Sequence, residues 1–401
     1  MFRLVIFRSS VALLFTIGIA SRGASEETAS APVNIDEQLA TIVASTRVPG
    51  MVALVLKGDR TIAQGAAGVR KRGSLDFLRT DDRFLLCSAG KAMTSTLAAM
   101  AVDEGRISWT TNLGGALPEI TEMNPEWRLA TLEELLEHRA GAPADLDRFW
   151  PLFRIEFSSG SPSEKRLKVV KQILSKPPVY KPGSQYVYSS LDYFVVCTLL
   201  EKLYGKSSET LIQQRLWNPI GILGGSFGAP GRNGELNQPW GHWGMFVTGH
   251  PVKPDGFVAR LTMPLYYGPI GASQMTIGDW AKFISLHLRG DPENPNRQVK
   301  LITPASFAAL HMSKQGSFYE SGWILTNKDW ANGRRHGDTG RIISSQGDNG
   351  FWHCEAWIAP EIDSAFLVVC NQGGPSPDKA ASIACNKAVE LLANEFTALP
   401  K

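Results

Sequence analysis

Ser88 and Lys91 stand three residues apart in Ser88-Ala89-Gly90-Lys91, within FLLCSAGKAMTSTLAAMAVDEGRISW (Phe84–Trp109), a short apolar lead-in followed by an amphipathic helical pattern. On a helix this spacing puts the amine and the hydroxyl on one face, about one turn apart. If Ser88 opens that helix, the unpaired N–H groups of the first turn and the positive end of the macrodipole lie beside it. Such a field favours an alkoxide on Ser88 and disfavours a second positive charge next to it, so that Lys91 as a neutral amine could serve as general base. A serine hydroxyl is a weak nucleophile without such help. The pattern alone is common: Ser376-Pro377-Asp378-Lys379 repeats it, where a Ser N-cap with Pro at the first helical position suffices as explanation.

The elements that must position this pair follow from the periodicity of the chain. Ile35–Thr46 reads as a helix, and Met51–Lys57 with Thr61–Gly65 as strands of a hairpin turning at Gly58-Asp59-Arg60. The Ser88 helix follows. Beyond about Asn112 come helical runs at Thr131–His138, Ser163–Leu174, Leu191–Leu203 and Glu209–Leu216, separated by Pro- and Gly-rich connections. Gly224–Pro254 reads as loop or lid, and Thr276–Leu288 as a helix with Thr276 as N-cap. Strands return at Gly322–Leu325, Arg341–Ser345, Phe351–Ala359 and Ser364–Asn371, and Ser376–Phe396 closes the chain as a helix. Strands at both ends and helices between them predict an α/β (α+β) fold. One antiparallel sheet is built from both chain ends and flanked by helices, with a mostly helical region inserted. The expected division is 35–111 with 262–401 for the sheet-containing part and 112–261 for the insertion.

Composition bounds the function. The chain has 401 residues, 43% apolar and 20% charged, with a net charge of +3. This describes a globular protein and favours neither nucleic acid nor an anionic membrane. Seven histidines are scattered with no H-E-x-x-H or comparable ligand spacing, so no metal and no other cofactor is expected. Arg3 and Arg8 flank a start followed by the apolar Val11–Ala20 and the small residues Ser21, Gly23, Ala24 and Ser25, the layout of a cleavable export signal over residues 1–24. A disordered linker is expected over 25–34, no stable membrane anchor is indicated, and the oligomeric state is open. Five cysteines leave at least one unpaired. Reflecting the last two strands about Ile362 puts Cys354 opposite Cys370, either bridged or as buried free thiols on one face of the sheet.

Several blocks in order resemble the serine β-lactamase and penicillin-binding-protein superfamily, in particular its class C-like serine hydrolase branch. Besides the Ser88 run they are TLEELLEHRAGAP (Thr131–Pro143), YKPGSQYVYSSLD (Tyr180–Asp192), GPIGASQMTIGDWAKFISLHLRG (Gly268–Gly290) and GDNGFWHCEAWIAPEIDSAFLVVCNQG (Gly347–Gly373). The resemblance implies a β-lactamase/transpeptidase-like fold and three active-site motifs. Ser88 and Lys91 match the first. The second, Y-x-N, falls on Tyr188-Ser189-Ser190; it makes Tyr188 the proton shuttle and puts Ser190, in place of Asn, at the substrate. The third, K-T-G or H-x-G, has two placements: Asp338-Thr339-Gly340, beside His336, or Ser345-Gln346-Gly347, which aligns without a gap through Trp357-Ile358-Ala359-Pro360 and is favoured. Either placement lacks the usual cation for a substrate carboxylate. By resemblance the oxyanion donors are the backbone N–H groups of Ser88 and Asp348, with Ser345 and Gly347 at the substrate.

These residues imply a secreted serine hydrolase acting through an acyl-enzyme on a small-molecule or peptide substrate, an esterase or peptidase rather than an efficient β-lactamase. Two readings compete. Gly224-Gly225-Ser226-Phe227-Gly228 is a G-x-S-x-G, but lacks the strand before and helix after that a nucleophile elbow needs. The altered second and third motifs also suit a catalytically weak or inactive scaffold that binds a cell-wall peptide or a partner. The aromatic loop Trp240–Phe246 either overhangs the cleft or packs the insertion onto the sheet.

Overall fold

The structure is a computed structural model, which describes residues 30–144, 155–232, 234–244, 249–262, 264–312, 317–374 and 379–397. The proposed export segment, Phe246 and Ser376 lie outside the described residues. From Pro32 onward the chain forms one compact unit.

Among the described residues, eight strands make the main sheet: β1 (Val33–Asn34), β2 (Gly50–Lys57), β3 (Arg60–Gly68), β4 (Tyr319–Glu320), β5 (Trp323–Asn327), β6 (Arg341–Asp348), β7 (His353–Ala359) and β8 (Ser364–Cys370). Their spatial order is β1-β3-β2-β8-β7-β6-β5-β4, antiparallel throughout except for β1, which lies parallel to β3. The seam between the two chain ends is β2 against β8, with Met51 opposite Cys370 and Lys57 opposite Ser364. Val33–Asn34 thus belong to the sheet, where a linker was expected up to residue 34: Asn34 caps the turn into the first helix through the Asp36 N–H at 2.7 Å.

The helices used below are α1 (Asp36–Thr46), α2 (Gly90–Asp103), α3 (Pro162–Leu174), α4 (Ser190–Tyr204), α5 (Ile277–Gly290), α6 (Pro304–His311) and α7 (Ala380–Thr397). Local chemistry sets several of their ends. Thr276 accepts the Asp279 N–H at 3.1 Å and opens α5, while Ser161 and Glu164 form a reciprocal capping box at α3 with Pro162 at the first position. Strands β2 and β8 are buried on both faces, so their alternate residues enter two different cores. Met51, Ala53, Val55, Phe366, Val368 and Cys370 pack under α1 and α7. Val52, Leu54, Leu56, Ala365, Leu367 and Val369 join the larger core with α2, α4 and α5. The helical insertion shares that larger core with the sheet.

Helix α2, read from the sequence as amphipathic, is instead buried from Gly90 through Ala101 on every side, because Lys91, Thr94, Ser95 and Thr96 find hydrogen-bond acceptors inside the protein. Gly90 is required by packing: a Cβ there would stand 1.9 Å from the Pro269 carbonyl oxygen. The segment Gly224–Pro254 contains short strands at Ser226–Phe227, Gly241–Trp243 and His250–Val252 where a loop was expected.

The pairing of β7 with β8 corrects the cysteine register. His353, not Cys354, stands opposite Cys370, and Cys354 faces Val369. The connection Pro360–Asp363, a 3-10 turn closed by a left-handed Asp363 at φ +50°, has its midpoint between Glu361 and Ile362, so the strands reflect about that half-step and not about Ile362. A one-residue slip sends a side chain to the other face. Cys354 therefore lies in the larger core and Cys370 in the smaller, and all five cysteines are free and buried.

Candidate active site

Ser88 lies in a 3-10 turn, Cys87–Ala89, that runs directly into α2. Cys87 adopts φ +48°, a left-handed conformation uncommon for a residue with a side chain, so the turn before Ser88 is sharp. Burial pushes the Cys87 thiol well up, which keeps it protonated beside the hydroxyl.

The side chains of Ser88, Lys91 and Tyr188 converge. Lys91 Nζ donates to Ser88 Oγ at 3.1 Å, and Tyr188 OH donates to the same oxygen at 2.8 Å. Lys91 is 1% exposed, donates also to Ser190 Oγ at 3.2 Å, and makes no ion pair among the described residues. Its Nζ stands 4.8 Å from the centre of the Tyr188 ring and 5.8 Å from that of Tyr193. Tyr188 precedes α4, whose N-cap Ser189 accepts the Leu191 N–H at 3.2 Å. Tyr193, on α4, is a core residue with its OH donating to Leu136 O at 2.9 Å. Ser190 is buried against Lys91, 4% exposed, and its Oγ accepts from Lys91 Nζ.

The third motif falls on β6. Gly347 runs so close to the Ser88 turn that a Cβ on it would stand 2.1 Å from Leu86 O and 2.9 Å from Ser88 N, which makes glycine necessary. Asp338-Thr339-Gly340 instead wraps Glu361, whose carboxylate accepts the Thr339 and Gly340 N–H groups at 2.9 Å each. Strand alternation divides the motif: Gln346 and Asp348 face the cavity, while Ser345 is 2% exposed with its Oγ lacking a hydrogen-bond partner among the described residues. Gln346, one position on from Ser345, lines the cavity beside Ser88.

The Asp348 backbone is aimed by the hairpin. Asn349 N–H donates to Trp352 O at 3.4 Å, so by alternation Asp348 and His353 form a non-hydrogen-bonded pair. The Asp348 N–H then points away from β7, toward the side where β5 pairs only Arg341–Ser344 and leaves the strand end uncovered. Ser88, Gln346, Gly347, Asp348 and His353 line a cavity of about 460 Å³ together with Tyr186, Tyr188, Phe318 and Tyr319.

Two residues of the site carried no legible signal in the sequence. His138, in the left-handed region at φ +56°, is fully buried with its ring 4.5 Å from that of Tyr188. Its Nε2 meets Tyr319 OH at 3.2 Å, and its Nδ1 lies 3.3 Å from the Ser189 N–H and 3.2 Å from Asp192 Oδ2. Burial first, and then the nearby Lys91 charge, hold the His138 imidazole neutral, well below the usual histidine range. Tyr319 arrives from β4, more than a hundred residues away in the chain.

The rival motif fails structurally. Ser226–Phe227 form a two-residue strand against Ser273–Gln274, and Gly228 at φ +103° continues into a turn rather than a helix. Trp240 is buried with its Nε1 donating to Glu235 O at 3.3 Å, and neither it nor Trp243 lines the Ser88 cavity, which favours packing over substrate contact. Among the described residues no cluster of three His, Cys, Asp or Glu side chains is placed to hold a metal ion, and no helix is long and apolar enough to cross a membrane.

A serine at the mouth of a buried helix, touched by lysine and tyrosine and flanked by a sheet edge, defines the layout of a serine acyl-transfer enzyme. The Beta-lactamase family model matches residues 35–387, and the chain belongs to that family of serine hydrolases. A penicillin-binding protein 4 of Amycolatopsis lactamdurans is 27% identical over 282 residues, 69% of this chain and 70% of that protein. An unguisins hydrolase of Aspergillus campestris is 24% identical over 298 residues, covering 69% of this chain but 50% of its own. A solved penicillin-binding-protein homologue from Pyrococcus abyssi superposes with a TM-score of 0.67 at 18% identity, covering 89% of this chain and 76% of that one, which shows the shared fold.

Proposed function

We propose that the protein hydrolyses esters or peptide-type amides through an acyl-enzyme on Ser88, and that β-lactams are poor substrates. The observation that carries this is the convergence of Lys91 and Tyr188 on Ser88 Oγ at 3.1 and 2.8 Å. The Ser88 proton passes into the Lys91–Tyr188 pair while Oγ bonds to the substrate carbonyl carbon. Tyr188 then gives its phenolic proton to the leaving oxygen or nitrogen and regains one from Lys91; water repeats the sequence in reverse to release the acid. The Ser88 and Asp348 N–H groups receive the oxyanion, a role backbone donors keep whatever the side chains.

The preference against β-lactams rests on charge. A substrate carboxylate would meet Gln346 and the Asp348 carboxylate, and the one imidazolium lining the cavity, His353, is already engaged by Asp348 and Glu355 at 2.9 Å each. The aromatic wall of Tyr186, Phe318 and Tyr319 suits an apolar acyl group. An unguisins hydrolase among the relatives is in keeping with hydrolysis of a non-β-lactam bond. The charged start and apolar Val11–Ala20 run support export of the enzyme.

The test is labelling with a fluorophosphonate and peptide mapping, together with p-nitrophenyl ester hydrolysis by wild type and Ser88→Ala. An adduct on Ser88 and loss of turnover in the variant are expected. Equal inertness of both proteins would favour the binding scaffold instead.

A further inference from the structure

An ion network of the buried His353 and Glu355 with the exposed Asp348 runs from the wall of the Ser88 cavity into the protein. His353 Nδ1 lies 2.9 Å from Asp348 Oδ2, and its Nε2 lies 2.9 Å from Glu355 Oε1. The Asp348 carboxylate also accepts the Gly350 N–H at 2.7 Å and the Gly374 N–H at 2.9 Å, which pins the β6–β7 hairpin to the chain after β8. Glu355 in turn accepts from Trp357 Nε1 at 3.0 Å and from Asn386 Nδ2, on α7, at 3.2 Å. With an acceptor carboxylate at each ring nitrogen, both nitrogens must donate, and an imidazole that donates from both is an imidazolium. His353 lines the same cavity as Ser88.

We propose that His353 is a positioning residue for the acyl-transfer site: its imidazolium, clamped between Asp348 and Glu355, fixes the strand end that presents the Asp348 N–H and cancels the Asp348 carboxylate beside the developing oxyanion. The cation missing from the third motif is thereby relocated to the neighbouring strand. This rests on the Ser88 reading above. Without the proton on His353, the Asp348 carboxylate would stand uncompensated near a forming negative charge and raise the barrier.

The remaining neighbours do not compete for that proton. Cys370 opposes His353 on β8 as a thiol that burial pushes up to about 12, and α7 contributes Ser382 and Asn386. Burial works against charge on His353, yet its hydrogen bonds to the Asp348 and Glu355 carboxylates outweigh it and raise the group to about 9.

The experiment follows kcat and KM of the full chain for p-nitrophenyl butyrate from pH 6 to 10, with a ¹⁵N-histidine NMR titration of the same samples. Wild type is expected to lose kcat as pH rises through about 9 with KM nearly constant, in step with the His353 resonance. His353→Asn, which keeps a donor toward Asp348 but no charge, should lower kcat at pH 7 by about 10- to 100-fold, less than the loss of an oxyanion donor itself because the donor stays in place, and abolish that alkaline fall. Glu355→Gln should move the fall and the resonance together to lower pH, and it decides the matter if His353→Asn fails to fold. An alkaline fall at the same pH in all three proteins, or a wild-type kcat in His353→Asn, overturns the proposal while leaving Ser88 in place. An inert wild type with His353 still titrating near 9 removes the Ser88 chemistry, and this proposal with it, and leaves only the ion network.

Discussion

Gly347 and Ser88 are packed backbone to backbone: a single methyl group on Gly347 would fall 2.9 Å from the Ser88 amide nitrogen and 2.1 Å from Leu86 O. Neither obstacle is a flexible side-chain end, so one of the two segments must move. Gly347→Ala is therefore expected to cut kcat/KM for esters by at least about 100-fold, the scale of a spoiled oxyanion donor. Gly340→Ala is the contrast. At φ +71° with Lys328 O only 2.2 Å from an added Cβ, it should lower the melting temperature yet leave the folded protein's turnover intact. Steady-state kinetics beside thermal melts of the two variants check this, and the reverse pattern would move the third motif to Asp338-Thr339-Gly340.

Tyr188 and Lys91 act on one oxygen, so their removal should not be additive. Tyr188→Phe and Lys91→Met are each expected to lower kcat by about 10²- to 10⁴-fold, the usual yield of positioned proton transfer. The double variant should be little worse than the weaker single one, as for any groups working as a unit. Single-turnover acylation rates measure this directly. A Tyr188→Phe enzyme with full kcat would assign the proton transfer elsewhere.

Arg166 ties the helical insertion to the Tyr266 segment beyond it. Fully buried on α3, it donates to Tyr266 O at 2.5 Å, to Glu201 Oε1 at 2.6 Å and to Glu209 Oε1 at 3.0 Å. Arg166→Met would leave two carboxylates with little solvent and no counter-ion, a loss of about 3–5 kcal/mol. Urea titration should show the midpoint falling; the triple change that also replaces Glu201 and Glu209 by Gln should recover much of it.

The histidines give the stability a maximum in pH. Burial holds His138 and His287 neutral well below their usual range. The unfolded chain takes up those protons near pH 6.5, so stability is complete above that value and falls as the pH drops below it. His353 has the opposite sign. Raised to about 9, its contribution is full below pH 6.5 and disappears as the pH rises through 9. Melting temperatures across pH 5 to 10 should fall on both sides, and His353→Asn should flatten the alkaline side alone.

All five cysteines are buried and unpaired. Ellman's reagent should find no fast-reacting thiol in the native protein and five in guanidinium, and dithiothreitol should leave the melting temperature unchanged. A loss of two titratable thiols would point to a bridge, which the opposite faces of Cys354 and Cys370 forbid.

What the chain declares locally is what its periodicities and short-range chemistry can encode. The three-residue spacing of Ser88 and Lys91 forces their contact once α2 forms, and the hairpin at Gly58, the α5 cap at Thr276 and the alternating faces of β2 and β8 are of the same kind. Tertiary structure decided the rest, because it depended on register and on distant partners. The four-residue connection at Pro360–Asp363 centres the β7–β8 pairing between Glu361 and Ile362, which sets His353 and not Cys354 opposite Cys370. The pleat of β6 turned Ser345 inward and Gln346 outward, a choice of face that motif matching does not address. His138, Tyr319 and His353 became part of the site only when their separate segments met around one cavity, since a side chain's role there depends on neighbours that local sequence cannot specify.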